Sequence, residues 1–94
     1  KKVIAGKVRE LKAAAQPELD IRGMAVDEAL PVLDNFLDAA YMGNLPNARI
    51  IHGKGTGVLR AAVQDELRRC KYVKSFRLGV YGEGESGVTI VEFK

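Results

Sequence analysis

The residue types best suited to chemistry lie together in one stretch, Ile50-Ile51-His52-Gly53-Lys54-Gly55-Thr56-Gly57. An apolar run ends there in the only histidine of the chain and passes into three alternating glycines. Glycine permits positive φ angles and leaves no Cβ to block the oxygens of a ligand. If a helix begins near Thr56, its unpaired amides and the positive end of its dipole face the same place. The stretch therefore predicts an anion site that contains a titratable group.

Three side chains of this stretch would contribute different chemistry. Lys54 adds a positive charge, Thr56 adds a hydroxyl, and His52 is the side chain best suited to move protons near neutral pH. The spacing differs from Gly-x-x-x-x-Gly-Lys-Ser/Thr, which excludes a Walker loop. A glycine-rich turn with a histidine that caps a carbonyl is the structural alternative. The adjacent lysine and glycines favour the functional interpretation.

A short strand precedes this stretch at Leu19-Asp20-Ile21-Arg22-Gly23, where apolar and charged residues alternate. A period of two places Leu19 and Ile21 on the buried face, and Asp20 and Arg22 together on the other face. An aspartate and an arginine at this spacing often simply pair with each other. The pattern therefore supports their pairing and a functional role equally.

The spacing of apolar residues predicts the other elements. Recurrence at three and four residues predicts helices from Val26 to Tyr41 and from about Gly57 to Cys70. Apolar or alternating runs predict strands over Ala48 to His52, Val73 to Val80 and Val88 to Phe93. This order predicts an α/β two-layer sandwich, β-α-β-α-β-β, with two helices on one face of a four-stranded mixed sheet.

The predicted topology brings distant residues together. Loops that leave the carboxyl ends of parallel strands converge where ligands bind. If the first two strands are neighbours, we expect Asp20, Arg22, His52 and Lys54 to meet in one site.

The composition is that of a small soluble domain, with 94 residues of which 47% are hydrophobic and 29% charged. It offers no apolar run that could span a bilayer and no signal-peptide pattern, so we expect no membrane partner. Cys70 is the only cysteine, which excludes an internal disulfide and suits a reducing, cytoplasmic compartment. Because the first residue is not methionine, we expect a piece of a longer protein, with a lead-in over residues 1–16 and the domain over residues 17–94.

The charge distribution favours an anionic polymer as partner. The net charge is +3, but residues 1–16 carry five basic side chains against one acid, and residues 47–94 carry nine against five. Residues 17–46 carry one basic side chain against six acids. One face could therefore meet a polyanion while the other stays in water. A set of solvated surfaces is the structural alternative.

Three ordered motifs resemble the Smr (small MutS-related) domain family. They are Leu19-Asp20-Ile21-Arg22-Gly23, His52-Gly53-Lys54-Gly55-Thr56-Gly57 and Gly87-Val88-Thr89-Ile90-Val91-Glu92, and the match covers about residues 18–93. The chain is most similar to Smr domains that end a bacterial MutS paralogue acting outside mismatch repair. The resemblance implies a fold like that of the C-terminal domain of translation initiation factor three. It also implies a nicking endonuclease that cuts branched DNA to suppress recombination, or RNA, in some members on stalled ribosomes.

The resemblance also assigns roles to residues. The family's acidic-x-arginine motif falls on Asp20 and Arg22, and its histidine-glycine motif begins at His52. We expect His52 to act as general acid or base, and Asp20 to orient it or to hold magnesium or manganese. The predicted catalytic residues are Asp20, Arg22 and His52, and the predicted nucleic-acid-binding residues are Gly53, Lys54, Gly55, Thr56, Gly57, Arg60 and Arg77. In the last loop many relatives have adjacent glycines, whereas this chain has Gly82-Glu83-Gly84-Glu85, whose two acids would repel a nearby phosphate.

Two other functions fit the same residues. A binding module for structured or branched nucleic acid would bind with a steep salt dependence and cut nothing. An enzyme acting on a small phosphorylated metabolite would use the same anion turn but would leave the basic flanking segments unexplained.

Overall fold

The computed structural model describes residues 17–94, so the predicted lead-in over residues 1–16 lies outside the described residues. The elements are β1 Glu18–Asp20, α1 Val26–Met42, β2 Asn47–Ile51, α2 Val58–Arg69, β3 Val73–Leu78 and β4 Val88–Phe93, with a 3-10 turn at Glu85–Gly87 before β4. This order confirms the predicted α/β class and the β-α-β-α-β-β sequence of elements. Within residues 17–94, no helix is both long and apolar enough to cross a membrane.

The four strands form one mixed sheet in the order β1-β2-β4-β3. Strands β1 and β2 are parallel neighbours, and β4 pairs antiparallel with both β2 and β3. The register aligns Asp20 with Ile51 and Ile51 with Val88. The ends of the two parallel strands and the start of β4 therefore lie at the same edge of the sheet, as the predicted site requires.

Alternating burial shows which side of the sheet the helices cover. In β2 the side chains of Ala48 and Ile50 are buried, whereas Asn47 and Arg49 are exposed. Helix α1 contributes its apolar stripe to the same core, which is the arrangement that its three-and-four spacing predicts. The fully buried large side chains are Ile21, Leu33, Leu37, Ile50, Val63, Leu67, Thr89 and Val91. The opposite face of the sheet is open to solvent.

Three predicted strands end earlier than the sequence pattern indicates, and one of them is β2, which ends at Ile51 rather than His52. Strand β1 ends at Asp20 rather than Gly23, because the Asp20 carboxylate accepts the backbone N–H of Arg22 at 3.1 Å and turns the chain. Strand β3 ends at Leu78 rather than Val80, where a turn begins. Side-chain hydrogen bonds and turns stop strands that the apolar alternation alone would continue.

A carboxyl pair joins the two helices. Partial burial of the Asp34 carboxyl, followed by its hydrogen bond to Glu66 and the charge of that residue, raises the pKa of Asp34 to about 6. The same hydrogen bond, together with Arg69 at 2.9 Å, lowers the pKa of Glu66. Below about pH 6 a protonated Asp34 donates to an ionised Glu66, and at higher pH both carboxyls are charged and repel each other.

We expect Asp34→Asn to stabilise the fold above about pH 6, because an amide donates to Glu66 without carrying charge. Since the folded pKa lies above the usual 3.8, ionisation of Asp34 costs stability at high pH and the cost disappears as the pH falls from 6 to below 3.8. After solvent screening at this exposed position, the gain at pH 8 is about 0.5 kcal/mol, or roughly 2–4 °C in melting temperature. Thermal unfolding across pH measures it.

The matched control is Asp65→Asn, which removes the same charge from α2 but breaks an ion pair of 2.7 Å with Arg68. This control should give no gain at any pH. A melting temperature of Asp34→Asn at or below that of the unchanged chain at pH 8 would contradict the assignment.

Candidate functional site

The three sequence motifs meet at one edge of the sheet. The N–H of Ile21 donates to the carbonyl of Ile51 at 2.9 Å and joins the end of β1 to the end of β2. The carbonyl of Gly87 accepts two hydrogen bonds, from the amides of His52 at 3.1 Å and Gly53 at 2.9 Å. The structure thus places the acidic-x-arginine motif, the histidine-glycine motif and the start of β4 side by side.

The glycine-rich stretch forms a turn that leads into the amino end of α2. Gly53, Gly55 and Gly57 all have positive φ angles, of +84°, +25° and +89°, and Gly57 is the residue before the first turn of α2. Within residues 17–94, the amides of residues 54–57 have no protein acceptor. Such successive free N–H groups form a concavity that binds anions, and the amino end of α2 adds its partial positive charge.

A cavity of about 310 Å³ lies at this turn, lined by residues 23–26 and 52–60. These two segments include the first residues of both helices, so both dipoles direct their positive ends toward the cavity. Lys54 and Arg60 add full charges, and none of the lining residues is acidic. A larger cavity of about 460 Å³ lies at the opposite edge of the sheet near Tyr41 and Phe93, without glycine amides or helix amino ends. We therefore assign the ligand site to the smaller cavity.

His52 forms the floor of this cavity and is only 5% exposed. Its Nδ1 lies 2.9 Å from the carbonyl oxygen of Gly53, and its Nε2 lies 2.8 Å from the hydroxyl of Thr89. Because a carbonyl can only accept, Nδ1 must carry the proton, and the Thr89 hydroxyl then donates to Nε2. Both ring nitrogens are occupied by protein groups in this geometry.

The surroundings of His52 favour the neutral imidazole. Burial lowers its pKa below the usual value, the hydrogen bond to Gly53 opposes that shift, and the charge of Arg60 adds to it. A neutral imidazole is able to accept a proton at neutral pH. Its Nε2 lone pair, however, faces Thr89 and not the cavity.

Asp20 and Arg22 form an ion pair beside the turn. The Arg22 guanidinium contacts both carboxylate oxygens, with its closest approach at 2.6 Å. These side-chain hydrogen bonds, with the one from the Arg22 amide, lower the pKa of Asp20 to about 2. The Arg22 side chain passes over Gly53, where a Cβ would lie 3.4 Å from its Cγ. Asp20 and Arg22 therefore pair with each other, and the pair lies against the histidine-glycine turn.

Asp20 makes no hydrogen bond to His52 in this structure, although orienting the imidazole was one of the two roles that we expected for it. Its two oxygens are occupied by Arg22, and Thr89 and Gly53 orient the ring instead. Thr89 was missed because a threonine in an apolar strand looks like an ordinary strand residue. A polar side chain in the middle of a buried run is nevertheless a signal, since it requires a hydrogen-bond partner.

The described residues do not form a protein-built cation site. Within residues 17–94, no three histidine, cysteine, aspartate or glutamate side chains cluster together. Asp20, the expected ligand of magnesium or manganese, would have to release Arg22 before it could bind a cation.

The acids of the last loop each lie beside a cation. Glu85 is 3.6 Å from Lys54, and Glu83 is 2.8 Å from Arg77. Arg77 lies on the open face of the sheet and does not line the cavity, so the structure does not bring this predicted binding residue to the site. Arg60, by contrast, lies over the glycine turn, where a Cβ on Gly57 would meet its guanidinium at 2.9 Å.

Comparison with known proteins gives consistent matches. A family model described as Smr domain matches residues 19–94. A protein named endonuclease MutS2 from Lachnoclostridium phytofermentans is 54% identical over 94 residues, covering 99% of this chain and 12% of that protein. The endonuclease MutS2 of Caldanaerobacter subterraneus is 53% identical over 85 residues, covering 90% of this chain and 11% of that protein. The chain therefore spans about an eighth of the length of these relatives.

Two solved structures share the fold. The crystal structure of the Smr domain of Thermus thermophilus MutS2 superposes with a TM-score of 0.81 at 46% identity, covering 84% of this chain and 99% of that one. The stand-alone small MutS-related protein YdaL of Escherichia coli superposes with a TM-score of 0.79 at 25% identity, covering 83% of this chain and 64% of that one.

We expect Thr89→Val to destabilise the fold by about 1–3 kcal/mol, because it leaves the buried Nε2 of His52 without a donor. Thr89→Ser keeps the hydroxyl and should retain most of the stability, apart from the loss of one methyl group. Urea denaturation measures the difference, and nitrogen NMR of the imidazole reports whether the proton stays on Nδ1. Equal stability of the valine and serine variants, with an unchanged tautomer, would contradict the role of Thr89.

Proposed function

The chain belongs to the Smr domain family, and on that premise we propose that it is an endonuclease domain that cleaves phosphodiester bonds in nucleic acid. The observation that carries the proposal is the cavity between the two helix amino ends, with its free amides, Lys54 and Arg60. A backbone phosphate is the anion that such a site fits. The ion pair of Asp20 and Arg22 stands at its border.

The names of the relatives support the reaction class. Proteins named endonuclease MutS2 contain a segment similar to nearly all of this chain. That segment is a small part of each relative, and the names describe the whole proteins. That the domain by itself has endonuclease activity is therefore our proposal. We propose DNA, in particular branched recombination intermediates, as the substrate, with RNA as the alternative polymer.

The proposed mechanism begins with electrostatic stabilisation of the phosphate. The amides of residues 54–57 and the Lys54 ammonium would hold the phosphate oxygens as negative charge develops on them. Arg22 extends over Gly53 and can join them when a phosphate replaces the Asp20 carboxylate as its partner. Because the Lys54 pair with Glu85 is long and exposed, a phosphate can replace the carboxylate at little cost.

His52 has two parts in this proposal. Its Nδ1–H fixes the carbonyl of Gly53 and so sets the orientation of the following peptide, whose N–H belongs to Lys54. Its Nε2 accepts the proton of the attacking water, or of the 2′-hydroxyl in RNA, only after the imidazole ring turns from Thr89 toward the cavity, and the P–O bond to the leaving oxygen then breaks. Proton transfer of this kind contributes on the order of a hundredfold to ten-thousandfold in rate.

A binding module without catalysis is the second candidate, and one observation favours it. Both nitrogens of His52 are occupied, and the Asp20 carboxylate is neutralised by Arg22, so within residues 17–94 the resting site presents no free base. Such a module would use the same cavity to bind phosphates of structured or branched nucleic acid.

We expect Lys54→Ala to weaken nucleic-acid binding and Arg22→Ala to lower the cleavage rate by about a hundredfold or more, as for loss of one preorganised charge donor. The assay uses end-labelled duplex DNA, branched DNA and hairpin RNA, each with magnesium, with manganese and with chelator. The matched control is Lys74→Ala, which removes an exposed lysine of β3 that does not line the cavity. Salt-dependent binding without cleavage of any substrate would favour the binding module instead.

Two substitutions separate the roles of His52. In His52→Asn the side-chain amide replaces Nδ1–H and can still donate to Gly53, whereas in His52→Gln the amide reaches the position of Nε2. If His52 transfers a proton, both variants lose cleavage while the asparagine variant keeps binding. If it only positions the turn, the asparagine variant retains cleavage, and that result would remove proton transfer from the proposal.

A further inference from the structure

The loop between β3 and β4 exposes an apolar tip. Tyr81 is 92% exposed, Val80 is 58% exposed, and Leu78 at the end of β3 is 37% exposed. Three large apolar side chains within four positions are unusual for a surface loop that carries no packing role. The proposed mechanism does not use them.

The tip is held rigidly. The N–H of Glu83 donates to the carbonyl of Val80 at 2.8 Å, and Gly82 has a φ angle of +90°, so residues 80–83 form a tight turn with Tyr81 at its second position. The Glu83 carboxylate accepts from the Val80 amide at 3.0 Å and from the Arg77 guanidinium at 2.8 Å. The turn therefore has a hydrogen-bonded backbone with the exposed Tyr81 side chain at its tip.

The same loop packs against the proposed phosphate site. The carbonyl of Gly87 accepts the amides of His52 and Gly53, and Lys54 lies 3.6 Å from Glu85. At the other end, the amide of Gly79 donates to Val88, which pairs with Ile51. The Ile51–Val88 and Val88–Gly79 pairings each span about 5 Å, and the two residues from Gly79 to Tyr81 span at most about 7 Å. The Cα of Tyr81 therefore lies within roughly 17 Å of the end of β2.

We propose that Tyr81 is a stacking platform for an unpaired base of the nucleic acid whose phosphate lies in the glycine-turn cavity. This inference rests on the proposed function. An aromatic ring stacks on any base, because every base has a π-face. A tyrosine held in a rigid turn loses little conformational entropy when it binds. The platform therefore selects structure rather than sequence.

The position of the charges favours a base over a phosphate at the tip. Glu83 pairs with Arg77, so that cation is not free to attract a phosphate to the tip, whereas an uncharged base can approach the ring. In a continuous duplex the faces of the bases are covered by their neighbours, and only unpaired bases offer a face. The preferred substrate class is therefore nucleic acid with unpaired bases beside the bound phosphate, as at forks, flaps, loops and single strands.

The test compares Tyr81→Ala and Tyr81→Phe with the unchanged chain on a forked DNA and on a blunt duplex of the same length, at fixed salt. Loss of one stacked base should weaken binding to the fork about 5- to 100-fold and leave the duplex nearly unaffected. Tyr81→Phe keeps the ring and should bind like the unchanged chain. Met42→Ala, which removes a 64% exposed apolar side chain at the opposite edge of the sheet, is the matched control.

Tyr81→Trp measures stacking directly, because its tryptophan fluorescence should be quenched when the variant binds the fork and not when it binds the duplex. The chain contains no other tryptophan, so the signal reports this position alone. If the unchanged chain binds the fork but Tyr81→Ala binds it equally well, the stacking proposal is wrong while the proposed function stands. A tip that docks on another protein surface would give that result. If the unchanged chain binds no nucleic acid, the stacking proposal and the proposed function are both wrong.

Discussion

The burial of one imidazole determines the geometry of the whole site. A buried polar ring is costly unless its nitrogens are hydrogen-bonded, and His52 satisfies both of them within the protein, through Gly53 and Thr89. The hydrogen bond to Gly53 fixes the start of the glycine turn. The hydrogen bond to Thr89 joins that turn to β4, an inner strand of the sheet. The carbonyl of Gly87 then joins the last loop to the same point. The turn, the two helix amino ends and the loop therefore keep their relative positions without a ligand.

The ion pairs around this core are weak by comparison, and that difference suits a binding site. The Asp20–Arg22 and Lys54–Glu85 pairs are between 44% and 65% exposed at their side chains. Exposed pairs contribute little to stability, about 0–1 kcal/mol each. A polyanion can therefore exchange these carboxylates for phosphates while the buried hydrogen bonds of His52 stay intact. The rigid part of the site positions the backbone amides, and the exchangeable part supplies side-chain charge.

The sequence predicted the elements better than the contacts between them. Periodicity gave the element order, the bounds of β4 and the core stripe of α1, because burial against one partner layer imposes a regular spacing. It did not reveal that Thr89 contacts His52, since the two are far apart in the chain and meet only through the β2–β4 register. It placed Arg77 among the binding residues by charge alone, whereas the strand directs that side chain to the open face and Glu83. Contacts that depend on register and on turns, such as the ordered tip around Tyr81, have no periodic signal.

The distribution of charge over the surface indicates the path of a bound strand. On the open face of the sheet, Arg49 lies 3.9 Å from Glu18 and Arg77 lies 2.8 Å from Glu83, so these cations are balanced by neighbouring acids. At the cavity edge Lys54 also has an acidic neighbour, Glu85 at 3.6 Å, but Arg60 and two helix amino ends add positive charge and none of the lining residues is acidic. A polyanion gains more from the cavity edge than from the open face. In the proposed complex, a strand would run from the helix amino ends toward the β3–β4 loop, so that its phosphates and bases would contact different parts of the protein.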